Sequence, residues 1–317
     1  MMIFAIILGV RFGSTKLDLW RAFSDVIGGK TDTPEARILI YVRMPRVISA
    51  LICGMALSVS GAVIQGVLAN RLASPSIIGV NSGAGLAVTL CSAYGIIGGW
   101  RISLFSFIGA FVTVMLVSIG AKRWGASRGT VILMGVALNA FLGAISDTVM
   151  TFSPNVSVQT LDFKVGDFSA ITYAKVIPAA ALILGSLFAL ISLSNELDVL
   201  TLGDENAKGL GLNVNVMRVV FLLLSAILAG AAVSICGLLS FVGLLVPHAV
   251  RRIASSKSKH LIPLSALFGA GFVAICDTLS RVIFAPYELP VGIIMAFLGA
   301  PLFIFILIKG NGGHRNA

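Results

Sequence analysis

VVFLLLSAILAGAAVSICGLLSFVGLLVPHAV, residues 219–250, runs between Arg218 and Arg251 for 32 residues without a single Asp, Glu, Lys or Arg. A helix crossing about 30 Å of hydrocarbon needs roughly 20 apolar residues. Thirty-two residues would rise about 48 Å as one helix, more than a bilayer core requires. Gly237 and Pro247 offer places to break the run. It is therefore read as a full span near 217–236, a turn, and a second helix near 238–254.

The same ruler reads the rest of the chain. Uncharged intervals separate Arg46 from Arg71 (24 residues), Arg71 from Arg101 (29) and Arg101 from Lys122 (20). Others separate Arg128 from Asp147 (18), Lys175 from Glu196 (20) and Glu288 from Lys309 (20). A further span lies between His260 and Asp277, and the short apolar start MMIFAIILGV adds one more. Of the 317 residues, 57% are hydrophobic and only 11% charged, and mean hydropathy is +1.01. That is too little polar surface to cover a soluble globule, so lipid is the solvent for much of the chain. The expectation is an all-α polytopic membrane protein of about ten transmembrane helices, one domain over residues 1–317. The start lacks the basic n-region and A-x-A site of a signal peptide, and reads as a shortened first helix.

Ten crossings put both termini on one side. With cytoplasmic termini, seven basic residues (Arg11, Lys16, Arg21, Lys30, Arg37, Arg43, Arg46) fall in one outer connection after the first span. Outside that connection, Lys and Arg divide 12 inside against 4 outside, which favours cytoplasmic termini. The net charge of +10 thus belongs to membrane topology, and no nucleic-acid partner is expected.

Gly29-Lys30-Thr31 resembles the tail of a phosphate-binding P-loop, but Ser24 stands where the motif needs glycine and no strand-then-helix pattern surrounds it. A turn is the better reading, and ATP hydrolysis by this chain is not expected. The cysteines (Cys53, Cys91, Cys236, Cys276) lie in apolar helices without C-x-x-C spacing, and the three histidines are scattered, so neither metal site nor cofactor is expected. His248 follows Pro247 close to Arg251 and Arg252, which suits a ring shaping a helix end more than a proton relay. Asp277 adjoins an apolar run and must find a partner or neutralise. Arg281, four residues on, faces it on a helix, and a role in a polar path competes with that local pair. Gly54 and Ser58, Gly79 and Gly83, and Gly269-Ala270-Gly271 are small residues at helix-packing spacing.

One connection stands apart. ELDVLTLGDENAKGLGLNVNVMR, residues 196–218, carries Glu196, Asp198, Asp204 and Glu205 with apolar Leu200, Leu202, Ala207 and Leu210, and glycines at 203, 209 and 211. It reads as one or two short amphipathic helices in a cytoplasmic loop, either docking a partner or packing on the bundle.

Four segments carry a family resemblance: RMPRVISALICGMALSVSGAVIQGVLANRLASPSIIGVNSGAG (43–85), LGDENAKGLGLNV (202–214), CGLLSFVGLLVPHAVRRI (236–253) and CDTLSRVIFAPYELPVGIIMAFLGAPLFIFIL (276–307). They closely resemble the permease subunit of bacterial ABC importers for iron-siderophores, haem and vitamin B12, over nearly the whole chain. The resemblance implies the vitamin B12 importer-type fold in the cytoplasmic membrane, a second permease subunit (identical or related), two copies of a separate ATP-binding-cassette subunit and an extracytoplasmic substrate-binding protein. It implies coupling helices at about 198–213, with Leu202, Gly203, Asp204, Glu205, Ala207, Lys208, Gly209, Leu210 and Gly211 meeting the ATPase. It also implies docking of the binding protein by Arg43, Arg46 and Arg281, with His248 and Asp277 as structural polar groups. Arg71 stands where many relatives carry proline, which touches only the geometry of that turn. The implied activity is alternating-access transport of a metal chelate, ferric siderophore first. A secondary transporter would need a coupling-ion site within an inverted repeat, of which no repeat is visible. A membrane-bound sensor or scaffold would move no solute.

Overall fold

The computed structural model describes residues 1–13, 17–96, 98–123 and 127–311, and its regular structure is helical throughout. In chain order come α1 (Met2–Arg11), α2 (Leu19–Ile27), α3 (Pro34–Arg37), a π-helical segment (Ile38–Arg43), α4 (Met44–Val67), α5 (Val80–Ala93), α6 (Gly99–Arg123), α7 (Arg128–Phe152) and α8 (Pro154–Val165). There follow α9 (Tyr173–Ser192), α10 (Ser194–Thr201), α11 (Asp204–Gly209), α12 (Val214–Cys236), α13 (Val242–Ile253), α14 (Ser258–Val282) and α15 (Val291–Asn311). Helices are the expected solution in lipid, where every backbone polar group must be satisfied within the protein.

Among the described residues, six helical runs are long and apolar enough to cross a membrane: Pro34–Val67, which includes α4, and those of α6, α7, α9, α12 and α14. Met2–Arg11, Val80–Ala93 and Val291–Phe305 are shorter apolar helices among the described residues. A count of ten crossings would also need the 12-residue α13. The 29-residue uncharged interval after Arg71 holds a helix of only 14 residues, because 68–79 folds as turns ending at Gly79, φ +102°.

α4 is the central helix: 83% of its apolar window is buried, against 17% for α7. Its packing is backbone to backbone. A methyl group on Gly54 would fall inside the Gly269 backbone, and one on Gly61 inside that of Gly243. Ser58 Oγ donates to Ser265 O at 2.6 Å across the α4–α14 seam. Gly83 and Gly109 join α5 to α6 in the same manner. Lipid tails are as apolar as leucine, so helices associate through close approach and interhelical hydrogen bonds, and the small residues supply both.

The break in the 219–250 run falls where Gly237 adopts φ +72° and Phe241 φ +67°. Backbone groups at the break find partners at the end of α8 and in the turn that follows it. Leu238 N donates to Phe163 O at 2.8 Å, and Asp167 N to Cys236 O at 2.9 Å. Gly292 N, at the start of α15, donates to Gly166 O at 3.2 Å. Non-helical backbone is tolerated at membrane depth under that condition.

Candidate functional site

Two charged clusters sit at opposite ends of α14. One gathers Arg46 and Arg281, which the sequence marks, around Asp277, with Arg43 alongside on the end of α1. Arg46 Nε donates to Asp277 Oδ1 at 2.9 Å, and Arg46 Nη1 to Glu288 Oε2 at 2.6 Å. Arg281 Nη2 lies 3.1 Å from Asp277 Oδ2, an ion pair whose angle falls short of hydrogen-bond geometry. The carboxylate is 1% exposed and the three arginines 3–5%, so all four are inside the protein. Burial of this kind is tolerated only where charge meets charge.

Arg43 and Arg281 also cap α1. The last carbonyls of a helix have no partner within it and carry partial negative charge. Arg43 Nη1 donates to Val10 O (2.6 Å) and Arg11 O (3.0 Å), and Arg281 Nη2 to Gly9 O (3.2 Å). The cluster thereby ties α1, α4, α14 and the loop before α15 into one unit. The Asp277–Arg281 pair was legible from i,i+4 spacing. Arg46, 231 residues from Asp277, and Glu288 carry no local signal of their meeting.

The second cluster organises the loop of short helices, which forms α10 and α11. Gly203 (φ +106°) and Gly211 (φ +82°) bracket α11 in backbone conformations that side chains other than glycine's rarely adopt. Asp204, the first residue of α11, accepts from Arg128 of α7 (Nη2 2.9 Å, Nε 3.2 Å) and Arg218 of α12 (Nη2 2.7 Å). Arg128 Nη2 also donates to Leu200 O at 2.9 Å. Partial burial alone would raise the Asp204 carboxyl, but the hydrogen bonds and charges of Arg218 and Arg128 prevail and hold it below the usual range. Asp198 of α10 accepts from Ser258 N at 2.9 Å and so caps the first turn of α14. Nineteen residues of α14 separate this cap from Asp277, about 28 Å at 1.5 Å per residue.

Leu197, Leu200 and Ala207 are buried against the bundle, whereas Leu202 (57% exposed) and Leu210 (66%) project from it beside exposed Glu205, Lys208 and Gly209. The loop therefore packs on the bundle through one face and leaves an apolar, charged tip exposed on the other. Arg128 and Arg218 are the residues sequence reasoning missed, and Asp198 was noted only as one acid of the loop. The signal of the two arginines was position alone, one at the start of α7 and one near the start of α12.

His248 is half-buried, its ring edge-on to Phe303 at 6.3 Å between centroids. Arg251 turns towards α4, bonding Gln65 and donating to Ala62 O at 3.3 Å. Between α4, the 68–79 turns and the 237–241 break lies a cavity of about 250 Å3, lined by Ser74, Ser76, Asn81, Ser240 and Phe241 among others. Asn139 of α7 steadies those turns, donating to Ser76 O (2.9 Å) and Ile77 O (3.0 Å). The four cysteines are buried and unbridged, and among the described residues no three of His, Cys, Asp and Glu come together.

The sequence profile described as the FecCD transport family matches residues 1–309. The chain belongs to the FecCD transport family. Among FecCD-like relatives, an uncharacterized ABC transporter permease protein, YvrB of Bacillus subtilis, is 36% identical, covering 98% of this chain and 92% of its own. The hemin transport system permease protein HmuU of Yersinia pestis is 35% identical over 87% of this chain and 83% of its own. The Fe(3+) dicitrate transport system permease protein FecD of Escherichia coli is 36% identical over 86% and 85%. A solved metal-chelate type ABC transporter, caught in an inward-facing conformation, superposes on this FecCD chain with TM-score 0.86 at 27% identity, covering 97% of this chain and 96% of its own.

Proposed function

We propose that this FecCD protein is the permease subunit of an ATP-binding-cassette importer, passing a metal chelate, ferric siderophore foremost, across the bacterial cytoplasmic membrane by alternating access. The observation that carries the reading is the α10–α11 unit. Its root is bonded to α7, α12 and α14, while its tip offers Leu202 and Leu210 to a partner absent from this chain. With cytoplasmic termini that tip faces the cell interior, where a pair of ATPase subunits would seat on Leu202 to Gly211. Closure of the ATPase pair would then move three spanning helices at once, because a clamp of two arginines on one carboxylate transmits displacement without slack.

At the other end of α14, an extracytoplasmic binding protein would dock over Arg43, Arg46 and Arg281. Those groups are already paired with Asp277, Glu288 and the end of α1, so docking carboxylates would act by exchange, competing for arginines that now hold the outer end of the bundle together. Each ligand then favours one of two helix arrangements, which is the thermodynamic content of coupling between the sites. A second permease copy, identical or related, would complete the path alongside the little-buried α7, and the cavity at the 237–241 break, with serines and Asn81 set among apolar side chains, is a candidate stretch of that path.

The test is reconstitution of the chain in proteoliposomes with the ATPase and binding protein that co-purify with it from its own cells, measuring ATP-dependent uptake across a panel of ferric siderophores, haem and cobalamin. Uptake of one chelate only when ATP and binding protein are both present supports the reading. Uptake driven by a proton gradient without the ATPase rejects it.

A further inference from the structure

Between α6, α9 and α12, away from both charged clusters, lies a groove of about 270 Å3. Its lining is graded along the membrane normal. Trp100, in the first turn of α6, and Lys175, in the first turn of α9, stand at one end with Ser234, near the last residue of α12. Leu104, Phe107 and Leu182 follow over the next two turns, about 10 Å deeper. Pro178 lines the groove from within α9, where its ring removes one backbone donor from the helix.

The chemistry of the lining narrows the occupant. A chelate route would present converging polar groups, whereas this groove is apolar below a rim bearing one lysine. The surfaces on either side are also apolar and exposed, with Phe105 and Ile108 on α6 and Ile177 and Leu184 on α9, so the groove opens onto the face that lipid covers. Lys175 Nζ donates to Ala170 O at 3.3 Å, which uses one of the three hydrogens of an ammonium group. An indole at the rim is the side chain favoured at headgroup level. We infer that the groove binds one membrane phospholipid with an anionic headgroup, its phosphate on Lys175 and the upper part of an acyl chain along Leu104, Phe107 and Leu182.

The full chain, purified in mild detergent, is titrated with phosphatidylglycerol, phosphatidylcholine or inorganic phosphate and followed by native mass spectrometry. In parallel, a Trp20→Phe/Trp124→Phe background reports quenching of Trp100 by brominated phosphatidylglycerol. One phosphatidylglycerol is retained in preference to phosphatidylcholine, and inorganic phosphate is not held. Lys175→Gln weakens retention roughly fivefold, the size of one lysine's attraction to an anionic surface. Ala174→Phe, an exposed position at the mouth, removes both retention and quenching while the protein stays monodisperse. Equal retention of the two lipids, an unaltered Lys175→Gln, or full quenching in Ala174→Phe overturns the assignment. So does a groove found closed to lipid by a second protein chain. Transport activity enters none of these readouts, so they stand apart from the test of the permease.

Discussion

Replacing Asp277 by asparagine should be the most damaging isosteric change in the chain. The substitution keeps the shape of the side chain and removes one negative charge between Arg46 and Arg281. Both guanidinium groups are buried, and the nearest remaining carboxylate, Glu288, already accepts from Arg46. Removing one member of a buried ion pair costs about 3–5 kcal/mol, because the partner is left charged without compensation. Against a typical stability of about 5–15 kcal/mol, that is a large fraction of the whole. Replacing the three paired groups together, as Arg46→Met/Asp277→Leu/Arg281→Met, removes these buried charges along with their attraction, leaves Arg43 on the α1 carbonyls, and should cost less than Asp277→Asn alone. Glu288, with 29% of its side chain exposed, can still reach water. Thermal unfolding of the detergent-solubilised chain, followed by size-exclusion fluorescence for wild type, the single and the triple variant, measures the order. If Asp277→Asn were within about 0.5 kcal/mol of wild type, as an ordinary surface change would be, or if the triple variant were the worst of the set, the reasoning about this cluster would fail.

Gly61→Ala should prevent normal packing, since the added methyl group has no space beside the Gly243 backbone, while Gly85→Ala, in open space within α5, should be neutral or stabilise by up to about 1 kcal/mol; the same melting assay separates them. Leu202→Ser/Leu210→Ser should leave the melting temperature of the isolated chain unchanged and abolish co-purification of the ATPase, because both side chains are exposed in the isolated chain. Asp204 has its folded pKa lowered, so its contribution to stability is present above the unfolded value near 3.8 and lost as pH falls through the folded one. The melting-temperature gap between wild type and Asp204→Asn should therefore be constant from about pH 5 to 8 and close below about pH 4, as paired melts over that range would show.

Charge spacing located the spanning helices well because a lysine or aspartate in hydrocarbon is costly, so charges accumulate where helices end. It erred where that premise weakens. Asp147 ends an 18-residue interval, yet α7 runs on to Phe152, because Asp147 is exposed and its helix continues past it. The long interval before Arg101 lacked charges while being helical over only 14 residues, since Ser, Pro and Gly turns need no charge to stay folded among other helices. The twelve-residue α8 went unforeseen for a related reason: Pro154 starts a helix whose mixed composition has no strong period. At the sites, what is local in sequence was legible. The glycine brackets of α11 and the Asp277–Arg281 spacing follow from helix geometry. The partners that join distant segments, Arg46 to Asp277 and Arg128 with Arg218 to Asp204, depend on the finished fold, and nothing along the chain pairs one with the other.

The glycine contacts of α4 also limit how the protein can change shape. Gly54 lies on Gly269 and Gly61 on Gly243, seven residues apart and so on one side of the helix, with backbone touching backbone at both points. Sliding α14 by a single residue would drive the side chain of Phe268 or Ala270 into a gap that admits none. The three helices are therefore keyed like a splined shaft: they can tilt together but cannot shear past one another. Any opening and closing must happen at their outer borders, where larger side chains leave tolerance for movement.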